Sequence, residues 1–290
     1  MWLNIPAFDL LACTLIFTTL LGTSKAADCL SNDPYAPKVA YTITVQKYGG
    51  YGNFTTIQAA INSIHSQNNR WVRILISPGF YREKVIVPAD KPCILLQGKN
   101  SKSTMISWND HTITDKSATF TSLANNFVAK NIAFKNAYRY QTPMNGNPIM
   151  QSVAVEVVGD KSSFHRCSFF GFQDTLWDVK GRHYFKNCYI EGAVDFIWGN
   201  GQSIYEGCKI SVLPCLGGLV TGFITAQGRN LANENSGFVF KAGKVFGNGN
   251  AEAYLGRAYG AYSRVIWYGT EFSDVIVPQG WQAWNYVNHE

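Results

Sequence analysis

The sequence predicts an all-β fold, a parallel β-helix, from three observations. Phe164–Cys167, Phe185–Cys188 and Tyr205–Cys208 are copies of one pattern, separated by 21 and then 20 residues. Short β-rich runs follow one another along most of the chain, and no helical stretches lie between them, which argues against βαβ units. A repeat of this length with several short strands per copy is typical of a solenoid. The alternative all-β fold, a sandwich, predicts no such repeat.

One short amphipathic helix is expected before the strands, over residues 56–66. Thr55 and Gln58 have the spacing of a capping box, and Ile57, Ile61 and Ile64 fall on one face. Such a helix can cover the open end of the sheet stack, whose unpaired edge needs protection. Strands are expected within the following runs: Val72–Ile76, Val85–Val87, Ile94–Leu96, Phe127–Phe134, Val153–Val158, Tyr184–Ile190 and Ser203–Ile210.

The composition is that of a globular domain, because 46% of the 290 residues are hydrophobic and only 15% are charged. The net charge of +6 has two interpretations, attraction to polyanions or simple solubility, and the sequence favours neither. The chain has no lysine and arginine run of the kind that nucleic-acid binders show, so no nucleic-acid partner is expected.

The first 26 residues have the pattern of a secretory signal peptide. Leu10–Leu21 is apolar but short for a membrane span, and Ser24–Ala26 supplies the small residues that signal peptidase requires. A retained membrane anchor is the alternative, because no lysine or arginine precedes the apolar run. Cleavage predicts a secreted mature domain of residues 27–290, without membrane contact, in an oxidising compartment that permits disulfides.

The cysteines of the repeat, Cys167, Cys188 and Cys208, occupy the same position in the three copies. They are therefore expected to stack on neighbouring coils, where any adjacent pair can bond but not all three. The sequence contains no Cys-x-x-Cys pair, so a zinc site is not expected, and neither is another cofactor.

Two aspartates, Asp174 and Asp195, lie seven residues after the cysteine of the first and second copies, where the third copy has Cys215. Equivalent positions of neighbouring coils are one strand spacing apart, about 4.8 Å, so the two carboxylates are expected side by side. They cannot both ionise cheaply; one then serves as an acid while the other is a nucleophile or a base. An aspartate that merely caps a turn is the alternative for each.

Two glutamines accompany the aspartates. Gln173 directly precedes Asp174, and Gln151 lies 22 residues before Gln173, close to one coil away. Amide side chains on adjacent coils can donate hydrogen bonds to a developing oxyanion, although each glutamine alone has the alternative of an ordinary turn residue. Together with the carboxylates they predict an acyl-transfer site. The histidines form no cluster and no Gly-x-Ser-x-Gly motif occurs, so a serine hydrolase is not predicted.

The chain resembles the plant pectin methylesterase (pectinesterase) family in motifs that occur in the family's order. They are Gly79–Glu83, Gln151–Val155, Gly171–Trp177, Gly192–Asn200, Ile224–Arg229, Tyr254–Arg257 and Gly280–Trp281. The resemblance implies a right-handed parallel β-helix of the short form, without an inhibitor-like region before it. It also implies a secreted cell-wall enzyme that hydrolyses the methyl esters of homogalacturonan to pectate and methanol.

The same resemblance implies roles for individual residues. Asp195 attacks the methyl-ester carbonyl, and Asp174 protonates the departing methanol and then activates the hydrolytic water. Gln151 and Gln173 hold the oxyanion. Arg257 keeps Asp195 ionised and oriented, as a cation beside a carboxylate does.

Substrate contacts are expected from Thr114, which matches a substrate-contacting threonine of the family, and from rings that stack on sugar faces. The candidate rings are Phe172, Phe196 and Trp281, with core packing as the alternative for each. Tyr259 stands where the family has a substrate-stacking tryptophan, so weaker binding is expected there.

Further expectations concern the covalent state and the partners. Cys188 and Cys208 match a pair that is often bridged in the family, and Asn53 begins a glycosylation sequon. The family continues for tens of residues past the Gly280–Trp281 motif, so an incomplete C-terminal end of the solenoid is expected. A monomer is expected, with pectin and a proteinaceous pectinesterase inhibitor as partners.

Two other functions remain open on the residues alone. The carboxylate pair also fits a pectin-cleaving hydrolase or lyase on the same fold. A wall-binding protein with impaired catalysis is the second alternative. Methanol release and polymer length, measured on the same pectin, separate all three.

Overall fold

The computed structural model describes residue 29 and residues 38–287, apart from 49, 51, 112, 139–149, 216–220 and 248. In this part of the chain the strands form three parallel sheets. Successive strands belong to different sheets and the chain returns to each sheet once per coil, which is a parallel β-helix. The coils are right-handed, as crossovers between parallel strands nearly always are. The fold class predicted from the repeat is confirmed, while the predicted signal peptide lies outside the described residues.

The three sheets are named A, B and C in the order in which the chain enters them. Sheet A contains β1 (Tyr41–Val45), β2 (Val72–Ile76), β5 (Ile94–Gln97), β8 (Phe127–Lys130), β11 (Ser162–His165), β14 (Arg182–Lys186), β17 (Gln202–Glu206), β20 (Gly237–Lys241) and β23 (Val265–Tyr268). Sheet B contains β3 (Gly79–Arg82), β6 (Thr104–Trp108), β9 (Ala133–Asn136), β12 (Ser168–Phe170), β15 (Tyr189–Gly192), β18 (Lys209–Val212), β21 (Lys244–Gly247) and β24 (Glu271–Phe272). Sheet C contains β4 (Val85–Val87), β7 (Phe120–Ser122), β10 (Val155–Val157), β13 (Leu176–Asp178), β16 (Val194–Gly199), β19 (Gly222–Gln227), β22 (Ala253–Ala258) and β25 (Trp281–Gln282).

The bend from sheet A to sheet B splits three of the predicted strand runs into two strands each. A residue in the left-handed conformation makes the bend: φ is 60° at Asn131, 52° at Asn187 and 64° at Gly207. Glycine and asparagine adopt this conformation at low cost. Because β-forming residues flank each bend directly, the sequence pattern predicts one continuous strand and does not reveal the single residue at which the chain turns.

The repeat register is confirmed inside the core. Phe164 pairs with Phe185, and Phe185 pairs with Tyr205, which are the 21- and 20-residue offsets of the sequence pattern. Their rings stack at 5.1 and 4.5 Å between centroids, and the stack continues to Phe240 and Trp267 at 4.6 and 3.9 Å. Each such contact is worth about 0.5–1.5 kcal/mol beyond the area it buries, so this ladder ties five successive coils together.

The N-terminal helix, α1 (Ile57–Asn62), is shorter than predicted. Its apolar face is as predicted, since Ile57, Ile61 and Ile64 are all buried. The helix packs on β1, β2 and β4, at the first coil of the solenoid. It therefore covers the end that the unpaired edge would otherwise expose.

The predicted capping box is wrong. The residue that caps the helix is Thr56, whose hydroxyl accepts a hydrogen bond from the Ala59 amide at 3.3 Å. The first two helical amides, of Ile57 and Gln58, instead donate to the Glu83 carboxylate at 3.0 Å each. The Gln58 side chain is instead bonded to the backbone of Ile86, from whose amide it accepts a hydrogen bond at 2.7 Å and to whose carbonyl oxygen it donates one at 3.1 Å. The Glu83 carboxylate, a charged acceptor, complements the helix N-terminus.

The Cys188–Cys208 disulfide implied by the family resemblance is not present, which corrects that expectation. Both side chains are buried free thiols, and they donate to the carbonyl oxygens of Phe164 and Phe185 at 3.4 Å. In-register neighbours on parallel strands point the same way about 4.8 Å apart, whereas a disulfide needs Cβ atoms about 3.8 Å apart. Burial raises the pKa of the Cys167 thiol, the third member of this stack, to about 12, so it too stays protonated.

One disulfide joins Cys29 to Cys93, across 64 residues of sequence. It belongs to a small apolar cluster with Trp71, Leu95 and Val128, which covers the outer face of the first coils of sheet A. The bond ties the N-terminal arm to the solenoid. Repeat spacing could not predict it, because Cys29 lies outside the repeats.

A buried polar network lies beneath the strand that follows the first aspartate. The Asp178 carboxylate accepts a hydrogen bond from the Tyr205 hydroxyl at 2.7 Å and contacts His183 Nδ1 at 2.5 Å. The other imidazole nitrogen lies 3.1 Å from the Gly159 carbonyl oxygen, which can only accept. A Cβ at Gly201 would lie 2.0 Å from the Asp178 carboxylate, so the network requires glycine there. The network joins successive coils through side chains rather than strands alone.

Candidate active site

The structure places Asp174 and Asp195 side by side on adjacent coils at the entrance to sheet C. Gln173 forms a parallel bridge with Val194, and the Asp174 amide donates to the Val194 carbonyl oxygen at 3.1 Å. This is the register that the 21-residue repeat predicts. Both aspartates are buried, with 8% of each residue exposed.

The backbone is irregular at both aspartates. φ is 64° at Asp174 and 47° at Asp195, and a bulge lies between Val194 and Ile197. Aspartate tolerates the left-handed conformation better than most residues, and bulges near active sites re-aim a side chain. In the following coil Phe223 pairs with Val194, so Cys215, the residue seven after the third cysteine of the repeat, is not in register with the two aspartates.

Arg257 binds one of the two carboxylates in a bidentate manner. Its Nε and Nη2 donate to the two Asp195 oxygens at 2.9 and 2.5 Å. The guanidinium lies 4.4 Å from the Phe223 ring centroid and 3.9 Å from that of Trp284, so aromatic rings hold it in place. The fork fixes the orientation of Asp195 and stabilises its charge.

The environments of the two carboxyl groups differ. Burial first, and the neighbouring Asp195 charge second, raise the pKa of Asp174 to about 8, against a smaller effect of Arg257. Burial also raises the pKa of Asp195, but the Arg257 hydrogen bonds and charge oppose that rise. At neutral pH we therefore assign the proton to Asp174 and the negative charge to Asp195.

The two glutamines lie level with each other one coil apart, owing to an irregularity in the backbone. The amides of Ala154 and Val155 both donate to the Thr175 carbonyl oxygen, at 2.9 and 3.1 Å, so the earlier coil holds one extra residue. Before this point the offset is 22 residues instead of 21, which brings Gln151 beside Gln173. Both side chains are half-buried. Sequence spacing alone, with a fixed repeat of 21, would have displaced them by one residue.

Thr114 lies in a 3-10 turn, Thr114–Lys116. The Thr114 carbonyl oxygen accepts a hydrogen bond from the Ser117 hydroxyl at 2.8 Å. The same hydroxyl accepts the Val153 amide at 3.0 Å, two residues beyond Gln151. The turn is thus anchored to the coil of the first glutamine, and Thr114 itself is half-buried.

Two of the ring candidates are wrong. Phe172 and Phe196 are fully buried in apolar clusters, so no sugar can stack on them. Inward-facing aromatic residues fill the narrow solenoid core, and the sequence pattern does not separate them from surface rings. Trp281 is half-buried against Gly256 and lines a cavity of about 420 Å³. Tyr259 is 50% exposed, with its ring edge-on to Trp198 at 6.1 Å.

The residues that sequence reasoning missed are Trp177 and Trp198. They pair across β13 and β16, and their half-exposed rings stack at 4.5 Å with 9° between the planes. Each lies three residues after one of the aspartates, and that recurrence was a signal in the sequence. With Tyr259 and Trp284 they make an aromatic wall beside Asp195 and Arg257.

Other predicted features can be located as well. Asn53 is exposed, and its amide oxygen accepts hydrogen bonds from the amide and hydroxyl of Thr44 at 3.0 Å each. Over the described ranges, no three His, Cys, Asp or Glu side chains are grouped so as to hold a metal ion. No helix in this part of the chain is long and apolar enough to cross a membrane.

Comparison with known proteins agrees with this geometry. The family model described as Pectinesterase matches residues 42–289. Probable pectinesterase 55 of Arabidopsis thaliana is 50% identical over 244 residues, covering 83% of this chain and 73% of that protein. The pectin methylesterase structure from carrot is 30% identical with a TM-score of 0.76, over 87% of this chain and 78% of the other. A pectin methylesterase mutant in complex with a hexasaccharide is 25% identical with a TM-score of 0.73, over 83% and 81%. The chain belongs to the pectinesterase family and is a carboxylic ester hydrolase that acts on the methyl esters of pectin.

Proposed function

We propose that the protein hydrolyses methyl esters of homogalacturonan through a covalent intermediate on Asp195. The Asp195 carboxylate attacks the C6 carbonyl carbon, and the amide groups of Gln151 and Gln173 donate to the oxyanion that develops. Asp174 gives its proton to the methoxy oxygen, the C–O bond breaks, and methanol leaves. The products of this step are an acyl anhydride with Asp195 and an ionised Asp174.

The second step reverses the roles. The ionised Asp174 takes a proton from a water molecule, whose oxygen attacks the acyl carbon. The anhydride bond to Asp195 breaks, Asp195 regains its charge, and a galacturonic acid unit is released. Asp174 ends the cycle protonated, as it began.

The observation that carries this proposal is the bidentate contact of Arg257 with only one of two adjacent buried carboxylates. This contact makes the two carboxyl groups different: Asp195 is the ionised nucleophile, and Asp174 is the neutral acid. A glycosidase also uses two carboxyl groups, but the two level glutamines favour acyl transfer, in which an oxyanion must be held.

Methanol release from highly esterified pectin by the purified protein tests the activity, with polymer length measured on the same samples. We expect methanol at unchanged length. The Asp195→Asn variant is expected to lose turnover while staying folded at the assay temperature, although it unfolds at a lower temperature because the ion pair with Arg257 is broken. Shortened polymer without methanol would support a chain-cleaving enzyme, and pectin binding without either product would support a non-enzymatic wall protein.

Substrate binding is proposed to involve Thr114, Tyr259 and Trp281, together with Trp177 and Trp198 of the aromatic wall. Exposed, stacked rings suit the flat faces of sugar units. The hexasaccharide bound by a relative supports an extended polymer as the ligand.

We also propose secretion into the cell wall, removal of residues 1–26, and glycosylation at Asn53. The apolar Leu10–Leu21 segment and a Cys29–Cys93 bond, which forms in oxidising compartments, support this. N-terminal sequencing and glycosidase digestion of the protein recovered from plant medium are the tests. A monomer and a proteinaceous inhibitor as partner remain proposals, which size-exclusion chromatography with and without the inhibitor checks.

A further inference from the structure

An outward row of side chains crosses sheet C from coil to coil beside the catalytic pair. The strand register defines its members in spatial order: Thr121, Glu156, Trp177, Trp198, Ala226 and Arg257. Neighbouring members are one strand apart, about 4.8 Å. A polymer lying across the coils over the two tryptophans therefore also passes Glu156.

Glu156 is the acidic member of this row, and its carboxylate is held in place. Val155 and Val157 on either side of it are buried, so Glu156 faces out of the sheet, half-buried. The Thr121 hydroxyl donates to Glu156 Oε2 at 3.0 Å. The orientation of the carboxylate is therefore set before any ligand arrives.

Among the residues that the structure describes, no ion pair neutralises the charge of Glu156. In the described part of the chain no cation lies within ion-pair distance of it, and the nearby Lys84 is paired with Asp110 at 2.8 Å. Burial first, and then the negative charge of Asp115 in the turn that carries Thr114, raise the pKa of Glu156, while the Thr121 hydrogen bond and the Lys84 charge lower it. The groove thus has an anionic side at Glu156, whereas the charge of Arg257, at the other end of the row, is paired with Asp195.

We propose that Glu156 is a specificity-determining residue that selects a methyl-esterified, uncharged uronosyl unit at the position over Trp177. This inference rests on the proposed function. A free C6 carboxylate at that position would face Glu156 at short range in a half-buried site, where like charges repel strongly. A methyl ester carries no charge and meets no such repulsion. Pectin that is already de-esterified on this side of the catalytic pair is therefore a poor substrate and a weak product ligand.

Glu156→Gln tests the inference, because it removes the charge, keeps the shape and can still accept the Thr121 hydrogen bond. Methanol release is measured on pectins of high and low esterification, and affinity for fully de-esterified polygalacturonate by calorimetry. We expect kcat/KM on low-ester relative to high-ester pectin to rise about tenfold, mainly through KM. The Kd for polygalacturonate should fall by a similar factor.

Glu271→Gln is the matched control, since Glu271 is exposed on sheet B and lies 3.7 Å from Lys244. It removes the same charge far from the row, and both readouts should stay as in the wild type. Glu156→Ala serves as a second variant if the glutamine variant unfolds at a lower temperature.

An unchanged substrate ratio together with an unchanged polygalacturonate affinity in the Glu156 variants overturns the inference. Equal changes in the Glu271 variant would also overturn it, by showing a general charge effect. A wild-type protein that releases no methanol from any pectin overturns the proposed function instead, and the polygalacturonate affinities then still decide the role of Glu156.

Discussion

Replacing Arg257 by glutamine removes the cation that separates the two aspartates. The substitution breaks two hydrogen bonds to Asp195, of 2.9 and 2.5 Å, in a site where 16% of the Arg257 side chain and 11% of that of Asp195 are exposed. Breaking a buried pair lowers the free energy of unfolding by about 3–5 kcal/mol, and the partial exposure here places that loss near the lower end. The effect on activity is separate: the ionised nucleophile loses two hydrogen bonds from a charged donor, each worth about 1.5–3 kcal/mol, and a loss of about 3 kcal/mol corresponds to a fall of roughly a hundredfold in kcat/KM at neutral pH.

The pH profile should move as well as fall. Arg257 opposes the burial that raises the pKa of Asp195, so its removal raises that pKa further and shifts the acid limb of activity to higher pH. Arg257 also lowers the pKa of Asp174, so the alkaline limb, near about pH 8 in the wild type, shifts upward too. Both limbs are read from kcat/KM for methanol release, which reports the free enzyme.

Arg257→Lys is the matched control, because it keeps the charge and loses the bidentate fork. We expect intermediate activity and a smaller shift of both limbs. If the glutamine variant keeps more than about a tenth of wild-type activity with both limbs in place, Arg257 does not maintain the charge of Asp195 and the reasoning is refuted.

Three further predictions follow from the same structure. Asp174→Asn should abolish turnover and raise the unfolding temperature. In the wild type the native Asp174 carboxyl keeps a proton that the unfolded chain releases, so wild-type stability falls as the pH rises from the usual pKa of 3.8 to about 8. The difference in unfolding temperature between variant and wild type should therefore widen across that pH range in thermal scans. Tyr205→Phe should lower the free energy of unfolding by about 1–3 kcal/mol in urea, because it leaves the buried Asp178 carboxylate short of a donor, whereas Tyr184→Phe at a half-exposed site should change it little. Trp177→Ala should raise KM for pectin about threefold to tenfold with a smaller change in kcat, and equal losses in both constants would contradict a binding role.

The fold was predictable because each coil of a solenoid repeats the same residue pattern, so the strand register is visible as a sequence repeat. The offsets between Phe164, Phe185 and Tyr205 are both a sequence repeat and a strand register, so the stack of coils, the pairing of Asp174 with Asp195 and the stacking of the three cysteines all followed. Departures from the repeat were not predictable. The extra residue at Ala154–Val155 and the bulge after Val194 shift the register locally, and backbone hydrogen bonding alone reveals them.

The chemistry of the site divides in the same way. The sequence by itself determined which residue types meet on adjacent coils: two carboxyl groups, two amides and a family-implied arginine. It could not determine which rings face outward, so Phe172 and Phe196 were wrong and Trp177 and Trp198 were missed, because aromatic residues serve the core and the surface equally well. Residue spacing did not determine which carboxyl keeps the proton either; only the family resemblance implied that it is Asp174. That depends on burial and on a guanidinium that arrives from 62 residues further along the chain, and only the tertiary structure brings Arg257 to Asp195 rather than to Asp174.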